Sequence, residues 1–364
     1  MKTLRELLED LTLIPALSGY EKRIANYLRQ AMEPYVDEIS VDMAGNLSAI
    51  VNGEDPEAPK VMIFAHMDQL GLVASKIEPE GFIRFERLGG VPEKVLPGIR
   101  VLIESEHGEI FPGMIGVKAH HATPPDEKYV VTPYQQLYID IGAESDEEVR
   151  ALGIEVGCPI VYEPRFQELR GGNISATALD NRVGCAALVQ LAALARKTRP
   201  RATLQLVGTV QEEFNLRGAM VAAAALRPDL AIALDIMVAG DTPDLKDRLQ
   251  LSLGCGPVLG MYSFHGRGTL NGTIAHPGIA KLIRDTAADE NIPLQRNAMV
   301  GLLTDSSYVQ LVGAGGVPAV DLGIPVRYTH TPIETCRLSD VEQLVSLVWA
   351  VVGRIGPGFE LTRE

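Results

Sequence analysis

Cysteine, positive charge and long apolar runs are all scarce in this chain, and each shortage removes a class of function. Its four cysteines, Cys158, Cys185, Cys255 and Cys336, are widely scattered with no CxxC pair. They make no dense disulfide framework and read as reduced, mostly buried thiols of a cytoplasmic protein. Lys and Arg number 33 against 47 Asp and Glu, for a formal net charge of −14 and a pI of about 5.0. That lacks the basic footprint nucleic-acid binding requires, and most of the excess acid suits a solvated surface. No uninterrupted apolar run approaches the ~20 residues that span a bilayer. The longest candidates, such as Leu191–Lys197 and Asp229–Asp235, are broken by charge. Met1 to Glu6 carries acid and starts an amphipathic helix, unlike the cationic start and apolar core of a signal peptide. A soluble, cytoplasmic protein without membrane partners is expected. Neither internal repeats nor low-complexity tracts are visible.

What is present is an ordinary globular composition, 46% hydrophobic and 22% charged over 364 residues, long enough for one large domain or a domain with an insertion. Helical patterns over Leu4–Leu13 and Glu21–Met32 open the chain, the second preceded by a capping-box pattern, Ser18-Gly19-Tyr20-Glu21. A hairpin is predicted over Ile39–Met43 and Leu47–Val51, turning at Ala44-Gly45-Asn46. Val61–Ala65 is continuously apolar, as suits a strand buried on both faces. From about Gly71 to Pro164 the texture changes to short β-branched segments punctuated by Gly and Pro, including Phe82–Arg87, Arg100–Glu104, Ile115–Lys118, Gln136–Ile141 and Pro159–Tyr162. This predicts a small β-barrel-like unit. Beyond Gly171-Gly172, strand and helix patterns alternate. Helix Arg182–Arg196, strand Ala202–Val210, helix Leu216–Leu226 and strand Leu230–Leu234 come first. Helices Gly278–Glu290 and Ser306–Val312, strand Ala319–Leu322 and helix Asp340–Ile355 follow. The expected class is α/β, a mostly parallel twisted sheet with helices on both faces. The expected organisation is a discontinuous α/β domain, residues 1–69 and 168–364, carrying an inserted β-rich unit, residues 70–167.

Acids and histidines cluster where those strands end. His66 and Asp68 close the first buried strand, Glu212 and Glu213 follow Ala202–Val210, Asp235 follows Leu230–Leu234, and His330 follows the last strand and its loop. In open α/β sheets the ligand crevice lies beyond the carboxyl ends of the strands. Each feature has a bland explanation taken alone. An HxD pair is most often a core histidine beside a turn aspartate, and Asp180, before a helix, is a common N-cap. Adjacent Glu212 and Glu213 suit a solvated loop and would face one site only if the backbone turns there. Convergence of four strands on one edge favours a carboxylate-rich metal site. Asp68 would hold the second ring nitrogen of His66, and Asp180 would bridge two ions roughly 3.5–4 Å apart.

The ordered blocks AHMD, ALDNR, QEEFNLRGA, ALD and RYTH resemble the tetrahedral, or glutamyl/deblocking, aminopeptidases, some of which have been labelled endoglucanases. The resemblance spans essentially the whole chain, with Asn181 where LDDR is expected and Phe214-Asn215 within EEVGLRG. A stretch usually richer in Gly and Ala reads Thr304-Asp305-Ser306-Ser307. It implies that His66 and Asp235 hold one metal, Glu213 and His330 the other, and Asp180 both. Glu212 would be the general base and Asp68 the support for His66. The implied reaction is removal of the N-terminal residue from peptides with a free α-amine, by a metal-activated water whose proton Glu212 takes. His and carboxylate donors suit Zn²⁺ or Co²⁺, with Mn²⁺ also compatible. The resemblance further implies dimers, built through the inserted unit with His120 and His121, that assemble into a twelve-subunit particle. Two rivals stand beside this. One is a two-metal N-deacylase or carboxypeptidase, for which Arg327 or Arg217 would meet a substrate carboxylate. The other is a non-catalytic peptide- or carbohydrate-binding protein that retains the cage.

Overall fold

The computed structural model describes residues 2–265 and 271–361. Its central sheet runs Glu38–Val41, Leu47–Val51, Thr203–Thr209, Lys60–His66, Leu230–Val238, Ala319–Val326, Val258–Phe264, Gly272–Ile274, with Gln295–Val300 also paired to Val258–Phe264. The four middle strands, Thr203–Thr209 through Ala319–Val326, are mutually parallel, and antiparallel pairs flank them on each side. Alternation along Lys60–His66 explains why that segment is apolar throughout. Val61, Ile63 and Ala65 enter one core, while Met62 and Phe64 enter another on the opposite face. The first core is covered by helices Leu4–Thr12, Lys22–Met32, Leu179–Lys197, Pro277–Asp289 and Leu338–Gly353. Gly218–Leu226 and Ser306–Val309 cover the second. Each fully buried Val, Leu or Ile contributes about 1.5–3 kcal/mol relative to an exposed one. Among the described residues no helix is long and apolar enough to cross a membrane.

A closed six-stranded barrel with its own apolar core stands apart from this sheet in sequence. Its strands pair in the order Gly71–Ile77, Ile83–Leu88, Ile139–Asp140, Ile110–Ile115, Arg100–Glu104, Pro159–Tyr162. A three-stranded sheet, Phe166–Glu168, Asn173–Ala176 and Glu334–Arg337, lies beside it in the chain path and carries Glu334.

Several local expectations shift. The strand expected at Ile115–Lys118 ends at Ile115 and begins at Ile110, with Pro112-Gly113 accommodated inside it. Gly113 is needed there, since a Cβ would meet Ile139 Cγ2 at 2.8 Å. The strand Gly71–Ile77 was not legible in the sequence. The capping box occurs at the first helix, where Thr3 Oγ1 accepts from Glu6 N–H and Glu6 returns the bond. The second helix has no side-chain cap. Glu21 instead accepts from Gly19 N–H at 2.7 Å and from the distant Gln211 N–H at 3.1 Å.

Candidate metal centre

The sheet brings the sequence-marked residues to one edge. His66 ends its strand in register with Thr209, the last residue of the neighbouring strand. Asp235 lies inside a strand that continues to Val238, rather than closing it at Leu234. It opposes Gly323, where a Cβ would fall 1.9 Å from the Asp235 carbonyl oxygen. Beyond Thr209 the chain turns at Gln211, φ 56°. That turn resolves the difficulty that neighbours Glu212 and Glu213 would otherwise point apart. Asp180 follows Ala178 (φ 59°), and His330 itself has φ 67°. Six of the eight non-glycine residues of positive φ among the described residues flank these side chains: Ala178, Gln211, Asn215, Leu216, Tyr328 and His330. Such strain persists where surrounding structure over-determines it, commonly at functional sites.

Two trios of donor atoms result, each with its atoms within 4.8 Å of one another: His66, Asp180 and Asp235, and Asp180, Glu213 and His330. His66 Nε2 lies 3.0 Å from Asp180 Oδ1 and 3.9 Å from Asp235 Oδ1. His330 Nε2 lies 3.6 Å from Asp180 Oδ2 and 3.9 Å from Glu213 Oε1. Zinc bonds of about 2.1 Å place tetrahedral donors about 3.4 Å apart, so both trios have the spacing and chemistry of divalent-cation sites. Asp180 offers one oxygen to each.

The electrostatics carry the same message. Burial, reinforced by neighbouring acids, raises Asp235 and Glu212 well above the usual carboxylate range and pushes Glu213 up to about 7. Burial alone would depress His66, but Glu212, Asp180 and Asp68 outweigh it and raise its pKa. Asp180, although buried, is held well below its ordinary value by His330 and His66. So many buried acids on one edge are relieved when cations sit among them.

A cavity of about 480 Å³ opens on these groups, with Glu212 in its wall beside both trios. Ile236, Val238, Met299 and Leu302 make the apolar side. Asp68 does more than the sequence suggested. His66 Nδ1 is nearest the Asp68 backbone oxygen, at 3.1 Å, and 3.4 Å from its carboxylate. The same carboxylate accepts the backbone N–H of Glu212 at 3.1 Å and of Glu213 at 3.0 Å. Two further buried acids escaped the sequence reading. Glu334 Oε2 accepts from Asp180 N–H (3.0 Å) and its Oε1 from His330 N–H (2.7 Å). Asp305 accepts from Thr209 Oγ1 at 2.7 Å. Only the spacing His330-x-x-x-Glu334 hinted at the first. Arg327 is held bidentately by Asp241, at 2.8 and 2.6 Å, and Arg217 stacks on Phe214 with its guanidinium 4.5 Å from the ring centre. His120 and His121 pack edge to face on the barrel, far along the chain from this site.

Residues 45–347 match the family model described as M42 glutamyl aminopeptidase. The chain belongs to that family. A glutamyl aminopeptidase of Lactococcus lactis is 30% identical, with 94% of each chain covered. The solved structure of aminopeptidase APDkam598 from Desulfurococcus kamchatkensis is 34% identical with a TM-score of 0.91, covering 97% of this chain and 95% of that one. The TET1 peptidase of Pyrococcus horikoshii, described as able to assemble into a tetrahedron or a large octahedral shell, is 30% identical. Its TM-score is 0.84, over 97% of this chain and all of that one. As an M42 peptidase the protein is a metal-dependent aminopeptidase, and the two trios sharing Asp180 are its candidate metal groups.

Proposed function

We propose that this M42 peptidase removes the N-terminal residue from peptides with a free α-amine. His66 and Asp235 hold one divalent ion, Glu213 and His330 the second, and Asp180 both. The sharing of Asp180 between two donor trios, with Glu212 beside them in one cavity, is the observation that carries this reading. Two ions in these positions would supply Lewis acidity, polarising the scissile carbonyl and easing deprotonation of the attacking water. Glu212 takes that water's proton and delivers it to the leaving amine, and cations alongside keep it ionised for the task. Asp68 holds the Glu212-Glu213 backbone at the angle this requires. The nitrogen and oxygen donors favour Zn²⁺ or Co²⁺.

A carboxypeptidase reading loses support because Arg327 is committed to Asp241 and Arg217 to Phe214. The unit of residues 70–167 is proposed as the assembly module of a dodecameric particle, in line with the shells described for the Pyrococcus horikoshii relative. Four unpaired cysteines support a reducing, cytoplasmic setting.

Glu212→Gln tests the central assignment. It should bind two ions per chain and lose nearly all turnover of aminoacyl-p-nitroanilides. Wild-type turnover would remove Glu212 as the base. His330→Ala should lose one ion, and retention of two would break the ligand assignment.

A further inference from the structure

The barrel strand Ile83–Leu88 ends in two glycines whose backbone abuts the second donor trio. Gly89 has φ +83°, a conformation that side-chain-bearing residues avoid. A Cβ there would meet Glu213 Oε2 at 3.0 Å and Leu70 Cβ at 2.8 Å. A Cβ on Gly90 would fall 2.6 Å from His330 Nδ1 and 2.8 Å from its Cε1, closer than real side chains approach. Consecutive glycines thus leave the space that the side chains of Glu213 and His330 occupy. The Gly90 carbonyl oxygen also lies 3.0 Å from His330 Nδ1. A carbonyl only accepts, so Nδ1 carries the proton and donates it. Nε2, the other ring nitrogen, faces Asp180 and Glu213. Tyr162, the last residue of another barrel strand, donates its hydroxyl to the His330 carbonyl at 3.4 Å.

We infer that the barrel is a working part of the metal centre, its Gly89-Gly90 corner positioning His330 and Glu213 for the second ion. The inference rests on the proposed assignment of those two residues as ligands. The two half-sites are then built differently. His66 is 2% exposed, and its outer ring nitrogen is held by Asp68, two residues beyond the end of its own strand. His330 is 34% exposed at its side chain and takes its outer support from a segment 240 residues away. Partners of this kind, holding the far nitrogen of a ligating histidine, typically change metal affinity 10–100-fold when lost.

The test is Gly90→Ala in the full chain, stripped of metal and titrated with Zn²⁺ by calorimetry, with elemental analysis of the loaded protein. The wild-type chain should take up two ions. Gly90→Ala should bind the first with unchanged affinity and the second about 10–100-fold more weakly. With Co²⁺ it should also alter the visible spectrum of the second ion alone. Tyr162→Phe, which removes one oxygen and leaves the packing, should weaken the same ion by a smaller factor and carries the test if Gly90→Ala does not fold. Two ions at wild-type affinity in the variants, or equal weakening of both ions, would overturn the inference. His330→Ala run in parallel separates the layers. Loss of one ion there, with both ions at wild-type affinity in Gly90→Ala, sinks the positioning role alone. Retention of both ions in His330→Ala sinks the ligand assignment and this inference with it.

Discussion

Changing Asp68 to asparagine removes one charge and one acceptor from a fully buried position, and its consequences can be worked from the bonds around it. One carboxylate oxygen receives the Glu212 N–H at 3.1 Å and the other the Glu213 N–H at 3.0 Å. An asparagine has a single oxygen, so one of these N–H groups would face an NH₂ donor instead. A buried donor left without an acceptor costs about 1–3 kcal/mol. At about 1.4 kcal/mol per factor of ten, this corresponds to roughly 5–150-fold. The strain falls on the turn at Gln211 that aims Glu212, so the loss should appear mainly in kcat rather than KM. Measuring both constants on leucyl- and glutamyl-p-nitroanilide at saturating Zn²⁺ would separate them, and thermal unfolding would show the accompanying destabilisation. If Asp68→Asn matched the wild type in kcat and melting temperature, these two bonds would not be what orients the Glu212-Glu213 turn.

Glu334→Ala strips the acceptor from the N–H groups of Asp180 and His330 together, a loss of about 2–6 kcal/mol at 1–3 each. Both ions should bind more weakly, with Glu334→Gln intermediate, as metal titration would reveal; unchanged affinities would make Glu334 a bystander. Thiol titration should find one reactive cysteine, Cys255, in the native chain and four after denaturation, because Cys158, Cys185 and Cys336 are buried. Burial also raises the Cys185 thiol to about 11, so alkylation of more than one native thiol would contradict the packing. In the metal-free protein, burial pushes Glu213 and Asp305 up to about 7 and Glu334 to about 8, from an ordinary 4.5 for Glu and 3.8 for Asp. Burial would lower His330, yet Glu213 and Asp180 lift it to about 10 from 6.5. Groups so raised hold protons in the folded chain that the unfolded chain has released. Their contribution is therefore complete below the unfolded values and lost as pH rises through the folded ones. Metal-free melting temperature should fall from about pH 5 to 8, while the increment from added Zn²⁺ grows with pH because ligands bind deprotonated. A metal-free melting temperature that climbs over this window would refute the assignment of these shifts.

Much of the α/β frame was legible because periodicity reports burial directly. Val61–Ala65 reads as a strand buried on both sides, and its alternate residues do enter two cores. Errors arose where a distant partner competed with a local rule. Glu21 has the spacing of a capping box after Ser18, but its carboxylate is drawn to Gln211, 190 residues on. The strand expected at Ile115–Lys118 lies instead at Ile110–Ile115, where its barrel neighbour Ile139 needs the missing Cβ of Gly113. The apolar run Leu230–Leu234 stops at Asp235, whereas pairing with Ala319–Val326 carries the strand past it.

The sequence by itself determined which residue types stand at the carboxyl ends of which strands, and so the chemistry of the candidate centre. Side-chain identity and strand periodicity are local properties, written into neighbouring residues. Tertiary structure alone decided that Asp68 and Glu334 each tie two backbone N–H groups together, and that Gly90 of the barrel meets His330. Those relations join segments up to 240 residues apart. No local pattern encodes such a distance, and only the closing of the sheet against the barrel sets it.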